Sequence, residues 1–275
     1  MNDFLLAVKT DVNESIRSKW FILYSLIFGG IIVLLLIFGL TESRIMGFTG
    51  LSRLLVTYIQ ISMAILPIFI LITTVRSVAG DREAGIFEYL LSLPISLFGW
   101  FWGKMFGRFF VVFLPVIIAI LFAFVWGSVK GAEIPWALFF SYSALLLALI
   151  WCFLGMGMFV STIARSIDVA QGSVFFLWLF FLLLLDLILL GFIIKQQIEP
   201  SIVISIALLN PLQVFRTAAM LLFDPQLSVL GSTAFYILDI FGRTAYLIWA
   251  FLYPLLLGTI MAFTGFVVFK KGDLP

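Results

Sequence analysis

Histidine is missing from all 275 residues. Its absence removes imidazole metal ligands, the Ser-His-Asp and Cys-His pairings and the His-Glu-x-x-His zinc protease signature. A single cysteine, Cys152, excludes an intrachain disulfide and leaves the redox compartment undecided. Charge is scarce as well: 11% of residues are Asp, Glu, Lys or Arg, against about 25% in soluble domains. In its place stand 64% hydrophobic residues, gathered into runs of about 20, long enough to cross a bilayer. The composition therefore predicts an all-α, polytopic membrane protein, with residues 1–275 forming one transmembrane domain. The first residues are polar and hold acids ahead of Trp20, unlike a cleaved signal peptide.

The hydrophobic runs predict six spans, at about 20–40, 54–75, 109–126, 136–160, 174–194 and 245–269. Pro67 and Pro115 fall inside the second and third, so kinks are expected there, with neighbouring groups bonding the freed carbonyls. Ahead of the first span, residues 1–19 place Leu5, Val8, Val12 and Ile16 at helical spacing among Lys9, Asp11, Glu14 and Arg17. That pattern suits an interfacial helix along the membrane. Residues 195–245 are too interrupted to cross; Asn210-Pro211 looks like an N-cap and first helical position, so short re-entrant or surface helices are expected.

Six spans put both termini on one side, which would hold ten basic residues against six on the other. Lys/Arg bias makes the richer side cytoplasmic, placing the chain in the inner membrane with its termini inside.

The longest polar break, Gly80 to Ser96, then lies in the cytoplasm. Asp81 suits an N-cap, Glu83 and Glu88 supply acids, and Pro94 stops the helix. Ile86, Leu90 and Leu93 recur at helical spacing with Phe87 and Leu91 beside them, giving one greasy side and one charged side. Such a helix can lie on lipid or plug into a partner.

Chemistry-bearing residues are few. Residues 99–105 mimic a phosphate loop, but Phe98 stands where the first glycine belongs and Met105 where the magnesium-binding Ser or Thr belongs. Nucleotide-driven work must come from another subunit. Gly103-x-x-x-Gly107 has the small-residue spacing that lets helices approach, a pattern also common by chance. Asp186 is the one acid deep in a span, where an ionised carboxylate costs roughly 2.5–3.5 kcal/mol and so needs a cavity or a partner. It can be a translocation-path or proton-relay residue, or a bond tying two spans together. Cys152 and Met156, one turn apart on the fourth span, are soft ligands suited to Cu(I), yet such residues in apolar spans are more often packing.

The segment Asp81-Arg82-Glu83-Ala84-Gly85-Ile86-Phe87-Glu88-Tyr89-Leu90-Leu91-Ser92-Leu93-Pro94-Ile95-Ser96 resembles the coupling segment of type-2 ABC exporter permeases. It departs at Ile86 and Phe87, where that family usually has threonine and leucine. The resemblance implies that Asp81, Arg82, Glu83, Ile86, Phe87, Glu88, Leu90 and Leu91 dock into an ATPase subunit, with ATP and magnesium held there and no cofactor or catalytic residue in this chain. Met46-Gly47-Phe48-Thr49-Gly50, Asp186 within Leu185–Leu190, and Asn210-Pro211 followed by Phe215-Arg216 are similar to the NosY-type permeases, which serve copper-site maturation of nitrous oxide reductase. That narrower likeness implies a homodimer, two NosF-like ATPase subunits and a NosD-like periplasmic partner, with Asn210, Phe215 and Arg216 as contact candidates.

Other readings are a type-2 exporter of lipid, drug or sodium, and a proton-coupled secondary transporter using Asp186. An intramembrane aspartyl enzyme would need a second carboxylate at comparable depth, and no other acid lies at mid-span.

Overall fold

The computed structural model describes residues 3–39, 50–86, 95–129, 136–194, 200–223 and 242–272. These form α1 (Asp3–Arg17), α2 (Lys19–Gly39), α3 (Gly50–Glu83), α4 (Leu97–Val129), α5 (Trp136–Ile163), α6 (Ile167–Leu179), a π-helical turn (Phe180–Leu184), α7 (Leu185–Ile194), α8 (Pro200–Leu209), α9 (Pro211–Phe223) and α10 (Arg243–Gly272). No strand occurs among the described residues. Five segments are long and apolar enough to cross a membrane: Gln60–Glu83, Leu97–Ala123, Trp136–Ile163, Ile167–Ile188 and Arg243–Lys271. α2, 21 residues long, stands where the first span was expected.

α5 is the centre of the bundle. Of its most apolar stretch 72% is buried, against 6% for Ile167–Ile188, so the former is core and the latter lies at the edge, with one side packed on α3. α10 crosses α5 at backbone contact. A Cβ on Gly155 would come within 2.0 Å of the Gly258 carbonyl oxygen, and one on Gly258 within 2.6 Å of the Trp151 carbonyl oxygen. Only glycine allows that approach, the means by which membrane helices gain dispersion contact without a hydrophobic drive between them. The Trp151 indole adds a 3.0 Å hydrogen bond to Thr259.

At both prolines a neighbour bonds the carbonyl next to the freed one. Pro67 leaves the Met63 carbonyl without its helical donor, and the adjacent Ala64 carbonyl accepts the Trp178 indole at 3.0 Å. Pro115 does the same to Val111, and the adjacent Val112 carbonyl accepts the Tyr24 hydroxyl at 2.9 Å. In an apolar bundle each such bond gives an indole or a buried hydroxyl the partner that lipid cannot supply.

α4 corrects two expectations. It is one helix of 33 residues, about 50 Å long, which begins a dozen residues before the span expected at 109–126. Its first turns carry Gly99, Gly103 and Gly107 at i, i+4 spacing on one face, and α1 is seated there. A Cβ at Gly103 would lie 2.5 Å from Ala7 Cβ and 2.9 Å from the Phe4 carbonyl oxygen; one at Gly107 would lie 3.0 Å from Asp11 Cβ. The glycine spacing that chance could explain is thus a socket for α1. That helix, expected along the membrane, buries one face on α4 and leaves Leu5, Leu6 and Ile16 exposed. Phe4 meets Phe106 edge-on at 5.5 Å, while Trp100 stacks on Phe269 at 5.5 Å. The first and last described helices therefore end on the same side of the bundle.

Candidate functional site

The polar groups of that end converge on the last turns of α3. Asp81 does not cap a new helix, as its sequence context predicted. α3 runs on through it to Glu83, and the break comes at Gly85, whose φ of 68° is the left-handed conformation that ends helices and favours glycine. The Gly85 N–H donates to the Arg82 carbonyl at 3.1 Å and the Ala84 N–H to the Gly80 carbonyl at 3.0 Å, completing the cap.

Each of the three charges before this break bonds within the chain. Asp81 forms a salt bridge with Lys104 of α4, whose ammonium also lies 4.6 Å from the Trp100 ring centre. Arg82 donates to the Ala164 carbonyl at 2.6 Å and the Thr162 carbonyl at 2.9 Å, the unsatisfied C-terminal groups of α5. Positive charge there also complements the negative end of the helix dipole. Glu83 accepts from the Ile167 N–H at 2.7 Å, so its carboxylate completes the first turn of α6 beside the Ser166 cap. Three consecutive residues thus tie α3 to α4, α5 and α6 in turn. Ala84, Gly85 and Ile86 beyond them are exposed, Ile86 by 39%.

The return of the chain is anchored too. Ser96 caps α4, its hydroxyl accepting from the Gly99 N–H at 3.1 Å, and its own N–H donates to Asp3 of α1 at 3.0 Å. Phe87, Glu88, Leu90 and Leu91, the remaining docking candidates, lie outside the described residues. Deeper in, Ser161 of α5 enters the backbone ladder of α3. Its hydroxyl accepts from the Val78 and Ala79 N–H groups at 3.0 Å and donates to the Val75 carbonyl at 2.6 Å. Val75 and Ala79 pair directly in an uninterrupted helix, so the hydroxyl sits where a regular bond would be. Arg108 of α4, bonded to the Thr73 carbonyl, pairs with the buried Asp11 of α1 at 3.2 Å. Nothing in the sequence pattern marked Ser161, Asp11 or Arg108 as a hub, because each acts on a helix distant in the chain.

At the opposite end, the π turn redirects one backbone bond. The Leu185 N–H donates to Phe180, five residues back, and the carbonyl of Phe181 takes the Asn210 side-chain amide at 2.9 Å. Asn210 also accepts from the Leu212 N–H at 3.0 Å, capping α9 with Pro211 at its first position. Gln213, one turn on, donates to both carboxylate oxygens of Asp186 at 2.8 Å. The last carbonyls of α8, Leu208 and Leu209, receive Trp249 and Tyr253 of α10. Asn210 and Phe215 are buried inside the chain, and Arg216 is partly covered with its Nε enclosed and unbonded. Cys152 and Met156 are buried near the Gly155–Gly258 crossing, where the backbone of Cys152 is in contact with α10. No group of three or more acidic or cysteine side chains suited to a metal occurs among the described residues.

Comparison with known proteins bears on the whole chain. Residues 5–274 match the model of the ABC-2 family transporter proteins. A protein of Stutzerimonas stutzeri named "Probable ABC transporter permease protein NosY" is 24% identical over 240 residues, covering 84% of this chain and 86% of that protein. A protein of the same name from Pseudomonas aeruginosa is 25% identical over 224 residues, covering 78% and 81%. This chain belongs to the ABC-2 transporter family, as a multi-pass membrane permease of the kind whose ATP is hydrolysed on a partner ATPase subunit.

Proposed function

We propose that this permease receives the stroke of its ATPase partner through Gly80–Ser96 and passes it directly to four helix ends. The observation that carries the reading is the bracing on both flanks of that segment: Asp81, Arg82 and Glu83 on one side, Ser96 with Asp3 on the other. A surface helix resting on lipid needs no such bracing, whereas a segment that transmits force does. In this reading the partner grips the greasy residues from Ile86 onward, and the preceding charges hold the grip to the bundle. The Lys/Arg bias puts this end in the cytoplasm, and α2, about 31 Å long, serves as the sixth span. The outward side of the Ile167–Ile188 span, where Val169, Phe175 and Phe176 are exposed, is the side offered to a second copy, so the working unit is a homodimer with two ATPase subunits.

The NosY likeness extends the proposal to copper-site assembly of nitrous oxide reductase, with NosF-like ATPases and a NosD-like periplasmic protein. The test is co-purification with the cognate ATPase from native membranes. The double variant Ile86→Asp with Leu90→Asp is expected to insert normally and lose the ATPase. Full retention of the ATPase by that variant defeats docking at this segment.

A further inference from the structure

Beside the Arg108–Asp11 pair, a groove of about 200 Å³ opens between the end of α1, the start of α2, and α3 and α4. Its wall combines Glu14, Arg76 and Arg108 with Phe21, Phe69 and Val112. Arg108 is already neutralised by Asp11. Arg76 and Glu14 are different: neither has an ion-pair or hydrogen-bond partner among the described residues, and they do not bond each other. One groove therefore presents a cation and an anion that are both exposed and both without a protein partner among the described residues.

The groove lies near the end of the candidate span Gln60–Glu83. Arg76 is seven residues before the end of α3 at Glu83, about 10 Å along the axis, and exposed Ile22 and Leu26 of α2 with Phe110 and Leu114 of α4 provide apolar surface nearby. Its volume is below the roughly 300–1,000 Å³ of sites that enclose a whole drug-sized ligand. It suits a headgroup whose tails remain outside.

We propose that this groove binds an aminophospholipid, phosphatidylethanolamine being the simplest, with its phosphate on Arg76 and the free side of Arg108 and its ammonium on Glu14. An anionic lipid such as phosphatidylglycerol satisfies only the arginines and leaves Glu14 facing added negative charge. The preference for a two-signed headgroup thus follows from the charge pattern. The site is independent of ATPase docking, and loss of either reading leaves the other standing.

The experiment is native mass spectrometry of the purified full-length chain titrated with phosphatidylethanolamine, phosphatidylglycerol, diacylglycerol and tail-free glycerophosphoethanolamine. Wild type is expected to bind phosphatidylethanolamine roughly fivefold more tightly than phosphatidylglycerol, the ratio that one surface charge contact supports. Glu14→Gln should abolish that preference while retaining phosphatidylglycerol, and Arg76→Gln should weaken both. Equal wild-type affinity for the two lipids overturns the proposal, as does a preference that survives both substitutions. Displacement by glycerophosphoethanolamine at the same concentration as the lipid overturns the lipid assignment in favour of a soluble ligand. A change of oligomeric state in Arg76→Gln without any change in lipid binding overturns it in favour of a second copy seated there.

Discussion

Replacing Arg82 with glutamine distinguishes a residue that faces a partner from one that holds the bundle together. Its guanidinium makes bonds of 2.6 and 2.9 Å to the last carbonyls of α5. Hydrogen bonds from charged donors contribute about 1.5–3 kcal/mol each when sheltered. This side chain is partly exposed, and water takes over the carbonyls once it is gone, so a net loss of about 2 kcal/mol is the reasonable scale. For a chain of this size that corresponds to a fall in Tm on the order of 5 °C. The assay is thermal unfolding in detergent followed by tryptophan fluorescence, run beside ATPase pull-down from the same preparation. The internal-brace reading expects the lowered Tm with the ATPase still bound, and reduced coupling of ATP hydrolysis to output. An unchanged Tm together with loss of the ATPase would refute the reasoning and return Arg82 to the docking surface.

Other substitutions test the remaining contacts. Gly103→Leu should lift α1 from α4, since even a Cβ meets Ala7 at 2.5 Å; overpacking costs of about 1–3 kcal/mol should appear as faster proteolysis within residues 1–19, and unchanged cleavage would discount the socket. Ser161→Ala removes a hydroxyl that serves three backbone groups of α3, so destabilisation of about 1–3 kcal/mol is expected in denaturant titration, and a neutral result means α3 closes its own ladder. Asp186→Asn keeps one acceptor for Gln213 and should assemble normally with a small loss of stability; if it also abolishes transport in vesicles, the carboxylate acts in the translocation path and not only as a tie. Phe176→Cys in a Cys152→Ser background should cross-link two copies in membranes, because Phe176 is among the most exposed side chains of the Ile167–Ile188 span; absence of any dimer band places the contact elsewhere.

Much of the architecture was legible because it rests on local signals. Runs of apolar residues marked the long helices, prolines marked where neighbours must donate, and Asn210-Pro211 marked the start of α9. What stayed hidden involves pairs far apart in the chain. Asp81 carries every local mark of an N-cap, and only the continuation of α3 from Gly50 to Glu83 shows that it lies in a last turn. Gly85 was inside the quoted motif, yet its role depends on φ, which sequence does not display. The acids and arginine that read as a partner-facing set find their partners 23 to 84 residues away. Asp186 was singled out for lacking company, while Gln213, which supplies it, sits 27 residues on in a segment read as peripheral.

The glycine-to-glycine crossing of α5 and α10 falls near the middle of the last helix. Gly258 stands 11 residues before Phe269, which stacks on Trp100 and Phe101, and 12 after Tyr246, whose end is bonded to α8 and α9. The stretches of helix on either side are about 16 and 18 Å long, and Pro254 interrupts the backbone bonding of the longer one. At the crossing the contact is backbone on backbone, and a single side-chain bond, from Trp151 to Thr259, spans it. The crossing therefore divides the last helix almost evenly between its aromatic end and its tie to α8 and α9.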